Sequence, residues 1–171
     1  MFNYNMGDIK RKKKEWRRPR KLYDKTRIEE ENKIVTKYGL KNKREIWKAE
    51  SETSKLRRKA KALIPKSTEE KQNYFGRLNK MGFKVKEISD VLGLTKEDWL
   101  NRRLQTFVFK KGFALTPKQA RQLITHKKVL VDGNVVNIPS FCITTDLENK
   151  ISIKESGIKK EKIMGEENGE E

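Results

Sequence analysis

Thr116-Pro117-Lys118-Gln119-Ala120-Arg121-Gln122-Leu123-Ile124-Thr125-His126-Lys127-Lys128 runs directly into Val129-Leu130-Val131-Asp132-Gly133-Asn134-Val135-Val136, and the fold turns on this stretch. Its first half opens with the chemistry of a helix start. Thr116 is an N-cap, Pro117 stands at the first helical position, where a missing N–H is no loss, and Gln119 completes a capping box. Ala120, Leu123 and Ile124 then face inward, leaving Arg121, Gln122 and Thr125 toward solvent or a ligand. The second half is a hairpin signature, two β-rich runs around a two-residue Asp-Gly turn. Ile151 to Ile153 supplies another strand.

Upstream, Thr95 and Asp98 cap a helix whose apolar positions Leu100, Leu104, Phe107 and Val108 follow an i, i+4, i+7, i+8 stripe closed by Gly112. On that reading Arg102 and Arg103 lie off the buried stripe. Two helices joined by a tight basic turn and packed on a small antiparallel sheet make a unit of about sixty residues, near the lower limit for independent folding.

The preceding residues read as helices with a thin core. Thr26 and Glu29 form a capping box for a first helix carrying Ile28, Ile34, Val35 and Tyr38 and stopped by Gly39. A second, over Lys43 to Ala62, carries Ile46, Trp47, Leu56 and Ala60 on otherwise densely basic faces that include Arg57 and Arg58, and Pro65 ends it. A third begins at a Ser67–Glu70 capping box, places Tyr74, Phe75, Leu78 and Met81 at helical spacing and ends at Gly82; Ile88, Val91 and Leu92 before Gly93 make a short fourth.

Charge narrows the function. The 171 residues hold 42 Lys and Arg against 24 Asp and Glu, a formal net charge of +18. Such an excess repels itself unless a polyanion offsets it. Nucleic acid fits better than a membrane surface, since no long apolar run, lipidation motif or signal peptide is present. The expected compartment is the cytoplasm. One Cys and one His provide neither a disulfide nor a zinc-ligand set, and no cofactor or metal is expected. Asn101 to Lys128 holds eight Lys and Arg with no acid at all, whereas Gly165 to Glu171 holds four Glu and no base. Gly7 to Lys21, with nine basic residues including Lys12, Lys13, Arg17, Arg18 and Arg20 and with Trp16 and Tyr23 nearby for stacking, reads as a binding arm that orders on its partner.

The predicted class is therefore α+β, predominantly helical. A basic arm over 1–22 and a helical domain over 23–94 precede the two-helix-plus-sheet unit over 95–160, with its core at about 102–155, and an acidic tail follows over 161–171.

Several blocks of that unit fall in a familiar order: Arg103-Leu104, Phe109-Lys110-Lys111-Gly112-Phe113, Ala120 through His126, Val131-Asp132-Gly133 and Val135-Val136-Asn137-Ile138-Pro139-Ser140-Phe141. They resemble the RNA-binding domain named after the fourth protein of the small ribosomal subunit. Met6-Gly7-Asp8, with the basic arm behind it, is similar to the archaeal and eukaryotic branch of that family. Members of the branch commonly begin at that Met-Gly-Asp, leaving Met1 and Met6 as alternative starts.

The resemblance implies direct binding of small-subunit (16S) ribosomal RNA, early assembly of the subunit body, contact with the fifth small-subunit protein at a surface linked to decoding accuracy, and proximity to messenger RNA where it enters the subunit. It implies no enzyme and no homo-oligomer. Carried over residue by residue, the RNA-facing set is Arg102, Arg103, Arg121, Gln122, His126, Lys127 and Lys128, extended by Lys110, Lys111 and Lys118. Arg forks phosphate, Lys adds point charge, and the start of the Pro117 helix would point unpaired N–H groups outward. The basic residues of the arm, with Arg57 and Arg58, extend the footprint.

Two other readings use the same residues. This domain also occurs on pseudouridine synthases and some aminoacyl-tRNA synthetases, but the rest of this chain offers no Gly-rich phosphate loop, no nucleophile with a base and no metal cluster. A non-ribosomal regulator built on a DNA-binding helix-turn-helix would use the same helix pair, yet the Asp-Gly hairpin and basic arms speak against it.

Overall fold

Helix α1 (Lys25–Tyr38) ends on Gly39, whose left-handed backbone (φ 59°) turns the chain back against the start of a helix nearly eighty residues away. A computed structural model describes residues 15–154. The arm through residue 14, including Lys12 and Lys13, and the acidic tail lie outside the described residues. After α1 come α2 (Lys43–Leu63), α3 (Thr68–Lys80), α4 (Ile88–Gly93), α5 (Lys96–Asn101), α6 (Leu104–Lys110) and α7 (Pro117–Thr125). Strands β1 (Val129–Val131) and β2 (Asn134–Val135), a 3-10 turn over Thr145–Lys150 and β3 (Ile151–Ile153) complete the described residues. The predominantly helical α+β class is thus observed.

The sheet has the order β2-β1-β3 with both pairings antiparallel, Val131 opposite Asn134 in one and Leu130 opposite Ser152 in the other. Asp132 (φ 52°) and Gly133 (φ 79°) form the two-residue turn, both in the left-handed region that such a hairpin demands. Thr116 caps α7 as its sequence specifies, its hydroxyl accepting the Gln119 backbone N–H at 3.2 Å.

Three apolar clusters hold the chain together. One joins Leu104, Val108, Ala120, Ile124, Val129, Val131, Ile143 and Ile151, uniting α6, α7 and the sheet. A second packs Ile34, Tyr38 and Leu40 against Ile46, Ala49 and Leu100; a third gathers Ala60, Leu78, Phe83, Val85 and Val91. Trp99 borders both of the latter, so α5 is the wedge between them.

Some starts differ from the sequence reading. α1 begins one residue before Thr26, on Asp24, whose carboxylate accepts the Thr26 hydroxyl at 2.8 Å; the Thr26–Glu29 box does not form. Ser67 is the N-cap of α3, but its side chain makes no capping bond. The larger difference is at Arg102–Arg103, where the single helix expected from Thr95 to Gly112 breaks into α5 and α6. The cause is strand-like pairing with a distant segment. Leu104 N–H donates to the Phe141 carbonyl at 2.7 Å and Ile143 N–H to the Arg102 carbonyl at 2.8 Å, around an antiparallel bridge between Arg103 and Cys142. These bonds replace those a continuous helix would have made.

Candidate nucleic-acid interface

The helix break sends Arg102 and Arg103 inward, which corrects their expected place off the buried stripe. Arg103 is 6% exposed. Its guanidinium meets the Glu45 carboxylate of α2 at 2.5 Å, and Arg121 of α7 reaches the other carboxylate oxygen at 2.9 Å. Burial pushes the Glu45 carboxyl up, but the hydrogen bond and charge of Arg103, together with Arg121, outweigh that and hold it below the usual carboxylate range. Arg102 is also engaged internally. It donates to the Ile143 carbonyl at 2.7 Å, pairs with Glu148 at 2.6 Å, lies over the Phe107 ring at 4.9 Å and packs on the bare backbone of Gly82.

A buried amide completes the seam. Gln105, 2% exposed, donates through Nε2 to the carbonyls of Tyr38, Gly39 and Pro117 at 2.9–3.1 Å. The backbone of Gly39 lies so close that a Cβ there would stand 2.8 Å from Pro117 and 2.9 Å from the Lys118 nitrogen. The N-terminus of α7 is therefore covered by α1 and by the Thr116 cap, not open to phosphate as the sequence reading had it. Tyr38 reinforces the joint, its hydroxyl donating to Glu97 at 3.1 Å, and burial followed by the Glu97 charge pushes its pKa up to about 12.

What remains outside is a cationic surface. Lys118 and Gln122 are exposed at i, i+4 spacing along α7, with His126 and Lys127 exposed at its end and Lys128 half-buried behind them. Lys118, Lys127 and Lys128 form no ion pair among the described residues. Lys110 is exposed and donates to the Asn101 side-chain oxygen Oδ1 at 3.4 Å, while Lys111 donates to the Glu148 backbone carbonyl.

A second cationic surface gathers residues from two separate sequence blocks. Arg17 and Arg18 meet Arg58 and Lys55 around a cleft of about 540 Å³ between the N-terminal segment and α2. Trp16 packs on Trp47 with ring centroids 5.4 Å apart and carries the Arg44 guanidinium over its ring at 5.4 Å, so this tryptophan anchors the segment on α2. Arg20 is exposed outside that cleft, and Arg57 is turned inward, donating to the Leu94 carbonyl. Glu31, Glu45 and Gln105 were missed by sequence reasoning. Glu31 is buried at 4% and held by Arg27 at 2.9 Å, the Trp47 indole at 3.0 Å and Lys43 at 3.6 Å. Among the described residues no cluster of His, Cys, Asp and Glu could hold a metal, and no helix is long and apolar enough to cross a membrane.

Comparison with known proteins places this arrangement. The S4 domain family matches residues 102–148, the stretch from the helix break to the 3-10 turn. The small ribosomal subunit protein uS4 of Saccharolobus solfataricus is 45% identical over 154 residues, covering 85% of this chain and 84% of that protein. Its counterpart from Thermoplasma volcanium is 44% identical over 160 residues (88% and 80%), and that from Picrophilus torridus 40% identical over 160 residues (88% and 87%). The chain belongs to the uS4 family, the non-enzymatic small ribosomal subunit proteins that carry an S4 RNA-binding domain.

Proposed function

We propose that this chain binds small-subunit (16S) ribosomal RNA directly and helps to nucleate the subunit body, using two cationic surfaces. One is the outer face and C-terminal end of α7, with Lys118, Gln122, His126, Lys127 and Lys128; the other is the Arg17, Arg18 and Arg58 cleft. The observation that carries the reading is the sorting of cations within the acid-free block. Arg102 and Arg103 are consumed by internal partners and shape the domain, while Lys118 and Lys127 remain exposed and, with half-buried Lys128, form no ion pair among the described residues. Phosphate supplies the missing anion. Lys110 and Lys111 flank this surface, and Arg121 supports it from beneath.

The family membership further supports contact with the fifth small-subunit protein, a contribution to translational accuracy and proximity to messenger RNA. Cosedimentation tests the central claim: native protein from lysate should travel with small subunits, and a freely running pool would sink it. Competition between structured ribosomal RNA and duplex DNA at equal salt separates this reading from a DNA regulator, which would prefer the duplex.

A further inference from the structure

Lys127 has a backbone φ of 58°, in the left-handed region where a Cβ crowds the following carbonyl and glycine is favoured. It follows His126, the C-cap of α7. The N–H groups of Lys127 and Lys128 return to the carbonyls of Ile124 and Leu123 at 3.0 Å each, the paired bonds of a Schellman ending. Elsewhere the same chain fills such positions with glycine. Gly39 (φ 59°), Gly82 (φ 84°) and Gly112 (φ 73°) end α1, α3 and α6. At α7 alone among these four endings the left-handed residue carries a long cationic side chain.

No ion pair or hydrogen bond of its side chain among the described residues accounts for that choice. Lys127 is exposed and makes no ion pair among the described residues. A cation at a helix C-terminus does favour the helix dipole. Lys128, the next residue and not left-handed, can supply that charge without the strain. The charge at this position is therefore directed outward, at the end of a helix whose exposed side is free of acid.

We propose that Lys127 is a phosphate contact retained at the expense of backbone strain, so that the end of α7 is less stable and binds RNA more tightly than a glycine ending would. This rests on the RNA-binding reading above. The test compares the full chain with Lys127→Gly and Lys127→Arg, measuring thermal unfolding and equilibrium binding to in vitro transcribed small-subunit ribosomal RNA over a salt series. Lys127→Gly should raise the Tm by about 2–4 °C, because the strain is relieved. It should also weaken binding and lower the log-log salt slope by about one unit, because one phosphate contact is lost. Lys127→Arg should leave Tm, affinity and slope unchanged. A raised Tm with affinity and slope intact would overturn the contact, and an unraised Tm would overturn the strain. Failure of the wild-type chain itself to bind would overturn the RNA reading and this inference together, whereas normal wild-type binding with an indifferent glycine variant overturns the inference alone.

Discussion

The carboxylate of Glu45 stands 2.5 Å from the guanidinium of Arg103, joining α2 to the first turn of the S4 domain, and Arg121 closes on the same carboxylate at 2.9 Å. One acid thus bridges two arginines that would otherwise repel each other on the inner side of α7. Glu45→Gln keeps the shape and removes the charge. Because Arg103 would be left buried without its anion, the variant should lose roughly 3 kcal/mol of stability, as for other broken buried pairs. Denaturant unfolding measures this, and a loss below about 0.5 kcal/mol, the size of an exposed pair, would show the seam to be held by packing alone.

The same group sets an acid dependence. Arg103 and Arg121 depress the Glu45 carboxyl in the folded chain, after overcoming the opposing effect of burial. A depressed carboxylate contributes stability that is fully present above the unfolded value of about 4.3 and is lost as pH falls through the lower folded value. The stability difference between wild type and Glu45→Gln should accordingly be constant near neutrality and narrow below about pH 4. Parallel curves down to the lowest accessible pH would remove Glu45 from the acid response.

Gly133 sits at φ 79° in the Asp132–Gly133 turn, and a Cβ added there would meet nothing within 4 Å. Any loss on substitution is therefore conformational, not steric with neighbours. Gly133→Val places a β-branched residue in the left-handed region and should cost about 1–2 kcal/mol. That corresponds to a Tm lowered by several degrees. Gly133→Asn, which tolerates the conformation, should lose much less. Equal melting temperatures for the two variants would mean that the turn rearranges.

The elements legible in the sequence are those whose cause is local. Thr116, Pro117 and Gln119 specify the start of α7 within four residues, and Asp132-Gly133 specifies the hairpin within two. The break between α5 and α6 has its cause about forty positions away, in the pairing of Arg102–Leu104 with Phe141–Ile143. A helical stripe drawn through Leu100, Leu104 and Val108 cannot register that. Once the helix is broken, Arg103 faces in, and its partner Glu45 is 58 positions upstream. An acid in the first turn of α2 reads, on its own, as an ordinary helix-dipole residue. Gly39 was legible as a stop for α1, but its seat against Pro117 and Lys118 belongs to tertiary packing. The same limit applies to the cationic surface: sequence located the acid-free block, while tertiary packing drew its three arginines into internal ion pairs.

That division between internal and external cations makes the last prediction. Lys118 and Lys128 stand outside the seam, without ion pairs among the described residues, so Lys118→Gln with Lys128→Gln should leave the melting temperature nearly unchanged. If both lysines face phosphate, the pair should weaken binding to small-subunit ribosomal RNA and reduce the log-log salt slope by about two units. Arg103→Met should behave in the opposite way. It leaves Glu45 with Arg121 as its remaining partner and removes one of the two ion pairs that seat α2 on the domain, so stability should fall by a few kcal/mol. The salt slope of the protein that remains folded should be preserved, because Arg103 offers RNA no exposed charge. Circular dichroism melts and binding isotherms at matched salt separate the two quantities. If Arg103→Met lowers the salt slope as the lysine pair does while its Tm holds, then Arg103 reaches phosphate after all, and the assignment of the seam to structure and the α7 lysines to RNA fails.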